Sequence, residues 1–246
     1  GFSLGTKYEQ YDDIYFAPRF GISYDKIETS NVASANLKKQ KGDYFDIGVS
    51  YSFDQDKRNQ RFQPSDGYRQ IFYQEIPLIS ENFSLLNSYQ FDKYLELSED
   101  MVTTVSFLGK TITTLKSDRD VRVSKRLLMP SRRLRGFEPG KIGPVDGADF
   151  VGGNYLTAFN INTELPNLFN NSQNVDFKVF YDAANLWGTD YRDSEHDDSN
   201  KIRSSAGIAV DWFTPIGPLN FSLAQPITKK DTDKTETFRF SIGTTF

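Results

Sequence analysis

A single histidine, His196, stands in the run DSEHDD (193–198) and supplies the only imidazole in the chain for general-base or nucleophile-activating chemistry. Any Ser-His-Asp arrangement would have to pass through it. It lies among four carboxylates in a polar stretch, where a solvated loop histidine is the simpler reading. The same carboxylates are hard-cation ligands by type, yet their spacing is not that of an EF-hand loop, and a charged solvated loop is preferred. Gly152-Gly153 is not followed by a nucleotide-binding fingerprint and reads as a loop-to-strand junction. Cysteine is absent, which removes thiol catalysis, disulfides and thiolate metal sites. No cofactor, no metal and no enzymatic reaction is expected. The densest chemistry is basic: RRLRGFEPGKIGP (132–144) sets three arginines and a lysine among glycines and prolines. It falls within 116–151, the longest segment without a strand pattern.

Around these residues the chain is written in period two. Phe45, Ile47, Val49, Tyr51 and Phe53 alternate with Asp46, Gly48, Ser50 and Ser52, and Val175, Phe177, Val179 and Tyr181 alternate with Asp176, Lys178, Phe180 and Asp182. At the C-terminus Phe238, Phe240, Ile242, Thr244 and Phe246 oppose Thr237, Arg239, Ser241, Gly243 and Thr245. Aromatics make up 15% of the 246 residues, yet only 37% are apolar and the mean hydropathy is below zero. Such a composition fits a wall with one apolar and one wet face rather than a soluble core. No stretch reaches the roughly 18 apolar residues of a spanning helix. A net charge of −4 does not favour a nucleic-acid partner.

The pattern predicts an almost all-β chain of about eleven strands: 1–10, 13–27, 43–54, 67–79, 82–97, 101–115, 152–165, 174–187, 201–213, 217–226 and 237–246. Many exceed the usual ~5–6 residues of globular strands and match the about 9–11 that a tilted strand needs to cross a bilayer. Short turns at 11–13, 97–100 and 214–218 alternate with long loops at 28–42, 116–151, 188–200 and 227–237, although 55–66, 78–82 and 166–173 fit less well. That asymmetry predicts an antiparallel transmembrane barrel, with a soluble β-sandwich as the alternative. Trp187 and Trp212, near strand ends, suit an aromatic girdle. With short turns periplasmic, the last strand descends and an odd count puts Gly1 outside. Single-chain bacterial barrels have even counts, so further N-terminal strands are expected.

The ordered set LRGFEPGKIGPVDG (134–147), GGNYLTAFNINTELP (152–166), DFKVFYDAANLWG (176–188), IRSSAGIAVDWFTPIGPLNFSLAQP (202–226) and FRFSIGTTF (238–246) resembles the C-terminal barrel of the BamA family. These are outer-membrane β-barrel assembly factors, related to TamA and the two-partner secretion transporters. RFQPSDGYR (61–69) resembles a turn and strand start in the same family. The resemblance covers most of the chain and is most specific from RGF through DAANLW to GPLNFSLAQP. It implies a sixteen-strand barrel preceded by periplasmic POTRA domains, of which residues 1–246 would be the C-terminal part. It also implies that the long extracellular-side loop 116–151 folds into the lumen on its motif Arg135-Gly136-Phe137. Leu134 stands where the family usually has Val.

Face assignments add a partner for that motif. Asp182 shares the polar face of its strand with Asp176 and Lys178, and Glu164 that of Asn154, Asn160 and Asn162. Both carboxylates therefore point inward, and the Arg135 fork suits either. A hairpin closing at 166–173 would set Asp182 opposite about residue 157 and Glu164 roughly 20 Å away, at about 3.3 Å per residue. One arginine would not hold both, and Asp182 ranks first. Gly136 would allow close approach to the wall, and Phe137 would fill an apolar gap.

The resemblance further implies insertion of unfolded outer-membrane proteins into the outer-membrane bilayer, with POTRA domains and accessory lipoproteins as partners, through a lateral gate between the first and last strands. Phe238, Phe240, Gly243 and Phe246 would belong to one lip of that gate, where an exposed edge templates strand addition. Gly243 would weaken pairing there, and the terminal aromatic also suits this protein's own insertion. A TamA-like or two-partner secretion transporter, a passive porin and a barrel enzyme using His196 are the rivals.

Overall fold

The structure is a computed structural model that describes residues 1–246 except 99, 117–118, 167–173, 192–195, 216 and 243–246, and the backbone alone of His196. Gly243 and Phe246 therefore lie outside the described residues. The strands are β1 (Phe2–Gly5), β2 (Tyr8–Tyr11), β3 (Ile14–Ile27), β4 (Gly42–Asp56), β5 (Gly67–Ile79), β6 (Ser84–Ser98) and β7 (Met101–Thr114). After these come β8 (Val145–Asp146), β9 (Asp149–Phe150), β10 (Tyr155–Glu164), β11 (Val175–Trp187) and β12 (His196–Asp197). The chain closes with β13 (Arg203–Thr214), β14 (Gly217–Thr228) and β15 (Phe238–Ile242). One antiparallel sheet runs β1-β3-β4-β5-β6-β7-β10-β11-β13-β14-β15, with β2 also on β3.

Alternation decides the two faces. Tyr155, Phe159, Val179, Tyr181, Ile208, Trp212, Leu223, Phe238 and Phe240 are exposed on the outer face. Asn160, Asp182, Ser205 and Ser222 are buried on the other. Trp187 ends β11 stacked on Tyr155, ring centroids 5.7 Å apart, while Trp212 lies near the opposite rim. No helix is long and apolar enough to cross a membrane, which says nothing of a β-barrel.

The expected first strand, 1–10, is divided between β1 and β2. Both keep to β3, but Pro18 stands opposite the break and has no N–H to return the bond that Thr6 N gives to its carbonyl (3.1 Å). The segment between β7 and β10 is not wholly irregular: β8 and β9 join β12 in a three-stranded sheet, and a 3-10 turn spans Val123–Lys125. Strand β10 begins at Tyr155 rather than 152, because Gly153 bridges to Leu127 instead. A short helix, α1 (Ala35–Lys39), capped by the Ser34 hydroxyl, interrupts the otherwise all-β chain.

The main core is not between two sheets. Val121, Leu127, Met129, Leu134, Phe137 and Ile142 of the β7–β10 segment pack on Leu108, Ile112, Leu156, Ala158, Ala184 and Leu186 of β7, β10 and β11. The segment thus supplies the apolar surface that a one-sided sheet needs. Its Arg122, 2% exposed, meets Asp46 of β4 and Asp25 of β3 (3.2 Å), and Lys125 reaches Glu75 of β5 (3.5 Å).

Three connections interlock at this rim. Asn36 Nδ2 donates to Asp146 (3.2 Å), Val123 N to Gln40 Oε1 (2.6 Å), Gln40 Nε2 to the Tyr191 hydroxyl (3.2 Å) and Val121 N to Asp190 (2.8 Å). Burial pushes the Tyr191 phenol up from its ordinary pKa, opposed by Arg126, which lies 4.1 Å over its ring. Beneath them Arg203 and Asp233, both fully buried, form a fork of two 3.0 Å bonds. The other Arg203 donors reach Asn185 Oδ1 (3.1 Å), the carbonyls of Ser199 (3.0 Å) and Lys201 (2.8 Å), and the Ser199 hydroxyl.

Candidate functional site, an arginine loop docked on the inner face

Residues 131–138 turn sharply enough that Arg135 presents both its backbone and its side chain to β11. Asp182, with no exposed surface, accepts from Arg135 N (3.0 Å), Nε (2.8 Å) and Nη2 (2.7 Å), and from Asn160 Nδ2 (2.7 Å). Four donors on one carboxylate balance the cost of removing its charge from water. Nη2 also donates to Asn162 Oδ1 (2.7 Å). The guanidinium lies 3.5 Å over the ring of Phe180, whose burial leaves it little water to lose. Phe180 in turn stands opposite Gly207, where a Cβ would come within 2.7 Å of the ring and 2.0 Å of the Leu223 carbonyl. A bare backbone at 207 is what lets the ring lie flat under the arginine.

Gly136 follows at φ +87, and a Cβ there would meet Ala224 at 3.2 Å and Ser205 at 3.4 Å. The Ser205 hydroxyl donates to the Arg135 carbonyl at 2.5 Å. Gly136→Ala is expected to cost about 1–3 kcal/mol from backbone strain alone. Faster protease cleavage within 131–141, with the strands intact, would show it; unchanged cleavage would contradict the close packing. Phe137, 2% exposed, and Leu134, 1% exposed, sit in the main core.

The register differs from the sequence expectation. Asp182 pairs with Asn160, not with residue 157, because β11 lies three residues out of the expected register on β10. Glu164 consequently faces Lys178, at 2.7 Å, and is not a partner of Arg135. Lys178 also holds Asp211 of β13 (2.9 Å), so Glu164 belongs to a separate inner-face cluster.

Two arginines of the site were not singled out by their sequence. Arg133 donates to Asn160 Oδ1 (3.3 Å) and lies 3.7 Å from Asp92 of β6. Arg239, on the inner face of β15, donates to the carbonyls of Ser131 (2.8 Å) and Phe137 and meets Glu236 at 3.0 Å. Phe238 and Phe240 alternate with it on the exposed face. Among the described residues no cluster of three or more His, Cys, Asp or Glu could hold a metal ion. The acidic run about His196 lies largely outside them.

This combination of long-stranded sheet and inward arginine loop has relatives over its whole length. The family model described as the Omp85 superfamily domain matches residues 1–246. The chain belongs to the Omp85 superfamily. The outer membrane protein assembly factor BamA of Neorickettsia risticii is 25% identical over 245 residues, 98% of this chain and 33% of that protein. BamA of Neisseria meningitidis serogroup B is 32% identical over 143 residues, 46% of this chain and 17% of its own length. A SAM50-like protein of Schizosaccharomyces pombe is 28% identical over 214 residues, 81% of this chain and 44% of its own length. This chain therefore spans a third or less of the two BamA proteins.

The crystal structure of Haemophilus ducreyi BamA lacking POTRA domains 1–3 superposes with a TM-score of 0.85. It is 23% identical and covers 97% of this chain and 52% of that one. The Omp85 chain thus has the antiparallel fold of an outer-membrane β-barrel. It is an outer-membrane protein of the Gram-negative type.

Proposed function

We propose that this chain is the C-terminal barrel part of an outer-membrane protein assembly factor, which folds β-barrel proteins and inserts them into the outer membrane. The observation that carries the reading is the docked Arg135-Gly136-Phe137 loop within a chain matched end to end by the Omp85 model. In this reading residues 116–151 form an extracellular-side loop folded into the lumen, and the Arg135–Asp182 pair fixes its position. Strand β15 forms one lip of a lateral gate, where an edge left open pairs with an incoming strand. Phe238 and Phe240, exposed on the outer face, face lipid. The partners are the bilayer, unfolded outer-membrane proteins, periplasmic POTRA domains and accessory lipoproteins. The work is mechanical and electrostatic rather than enzymatic.

The test is insertion by the full-length protein in phospholipid vesicles, followed as protease protection of an unfolded barrel substrate. Arg135→Ala is expected to lower the initial rate about tenfold, the equivalent of losing about 1.4 kcal/mol. Substrate protection no faster with the parent protein than in empty vesicles would refute the reading.

A further inference from the structure

Resting on the assembly reading, we propose that Arg239 is a latch that couples the last strand to the inward loop, so that β15 is held at its rim end and released from the other. Arg239 projects from the inner face of β15, opposite Ser222 of β14, with 14% of its side chain exposed. Its two terminal nitrogens reach main-chain carbonyls six residues apart, Ser131 and Phe137, one on each side of the Arg135 turn. Only a planar fork spans two such acceptors while keeping Glu236 at 3.0 Å.

The latch is reinforced by backbone. Residues 136–141 run antiparallel to 234–236, the connection that feeds β15. Glu236 N donates to the Gly136 carbonyl (3.1 Å), Glu138 N to Lys234 O (3.0 Å) and Lys234 N to Lys141 O (3.0 Å). Phe137 and Thr235 make the bridge between these pairs. The loop that Asp182 anchors to β11 is thus also bonded to the start of β15. If β15 leaves β14 at this end, Arg239 must give up two carbonyls in a low-dielectric interior, and the Arg135 turn loses its outer support. Peeling from the far end of β15 breaks none of these bonds. Arg239 is a positioning residue in this scheme: it touches the loop and not the substrate.

Hydrogen exchange by mass spectrometry on the full-length protein in vesicles decides the matter, comparing parent, Arg239→Ala and Arg239→Lys. In Arg239→Ala, peptides covering 131–141 and 234–242 are expected to exchange roughly tenfold faster together, while peptides from β4 and β5 are unchanged. Arg239→Lys, which keeps the charge but not the fork, should fall between. Parent-like protection of both peptides in Arg239→Ala overturns the latch, as does loss of protection in one alone. If Arg239→Ala fails to fold, protection is lost in β4 and β5 as well. The lysine variant then decides: acceleration confined to the two peptides supports the latch, and parent-like exchange overturns it. A parent protein that inserts no substrate refutes the assembly reading, while the exchange comparison still judges the latch.

Discussion

Asp182→Ala is expected to lower the stability of the docked barrel by about 3–5 kcal/mol, the cost of leaving a buried partner charge unpaired. The carboxylate has no exposed surface and takes four donors, so its loss orphans the Arg135 backbone N–H and two guanidinium N–H groups and leaves Asn160 Nδ2 with the Arg133 carbonyl alone. Asp182→Asn keeps one acceptor oxygen and should lose less than alanine. The measure is the urea midpoint of the folded band on unheated gels, read beside protease cleavage in 131–141. A midpoint shared by Asp182→Ala and the parent would mean that the pair does not hold the loop. Arg135→Ala should cost less, because Asp182 keeps Asn160 and water can enter the space that Arg135 vacates.

Asp233→Ala is the second large effect, again about 3–5 kcal/mol. Arg203 is fully buried and every one of its nitrogens is bonded, so removing Asp233 leaves a buried guanidinium without its countercharge. The double change Arg203→Met with Asp233→Leu removes both charges at similar volume and should recover most of the loss. A double variant as unstable as Asp233→Ala would show that the shape of the connection 229–237, not the charge, is at stake. Thermal unfolding in detergent separates these cases, and the rim loops should become protease-sensitive first.

The sheet was legible because period two leaves no choice of face once one side must be apolar. Asp182 was placed on the inner side by Val179 and Tyr181 beside it, and the structure leaves both of those side chains exposed on the outer face. Register was less accessible: the β10–β11 hairpin has no turn signature that fixes its length, and a three-residue difference moved Glu164 to Lys178. Strands β8, β9 and β12 are two residues each, too short to carry a period. Arg239 did carry a signal, a charge inside an aromatic alternation, but in the sequence it was only one member of a polar face. Its carbonyl partners depend on a loop path that local patterning does not encode. Arg203 and Asp233 are 30 residues apart on a strand and a loop, and nothing local joins them.

The docked segment also constrains the order of folding. Residues 131–135 bond to partners 27, 47, 70 and 108 positions away along the chain. Upstream, Arg122 reaches back 76 residues to Asp46. Each of those loops must close before its contact returns any energy. The segment therefore has nowhere to settle until strands on both sides of it stand in place, β4 behind it and β15 ahead. Its arginines seat after the wall is assembled, which makes the seated loop a record that the wall is complete.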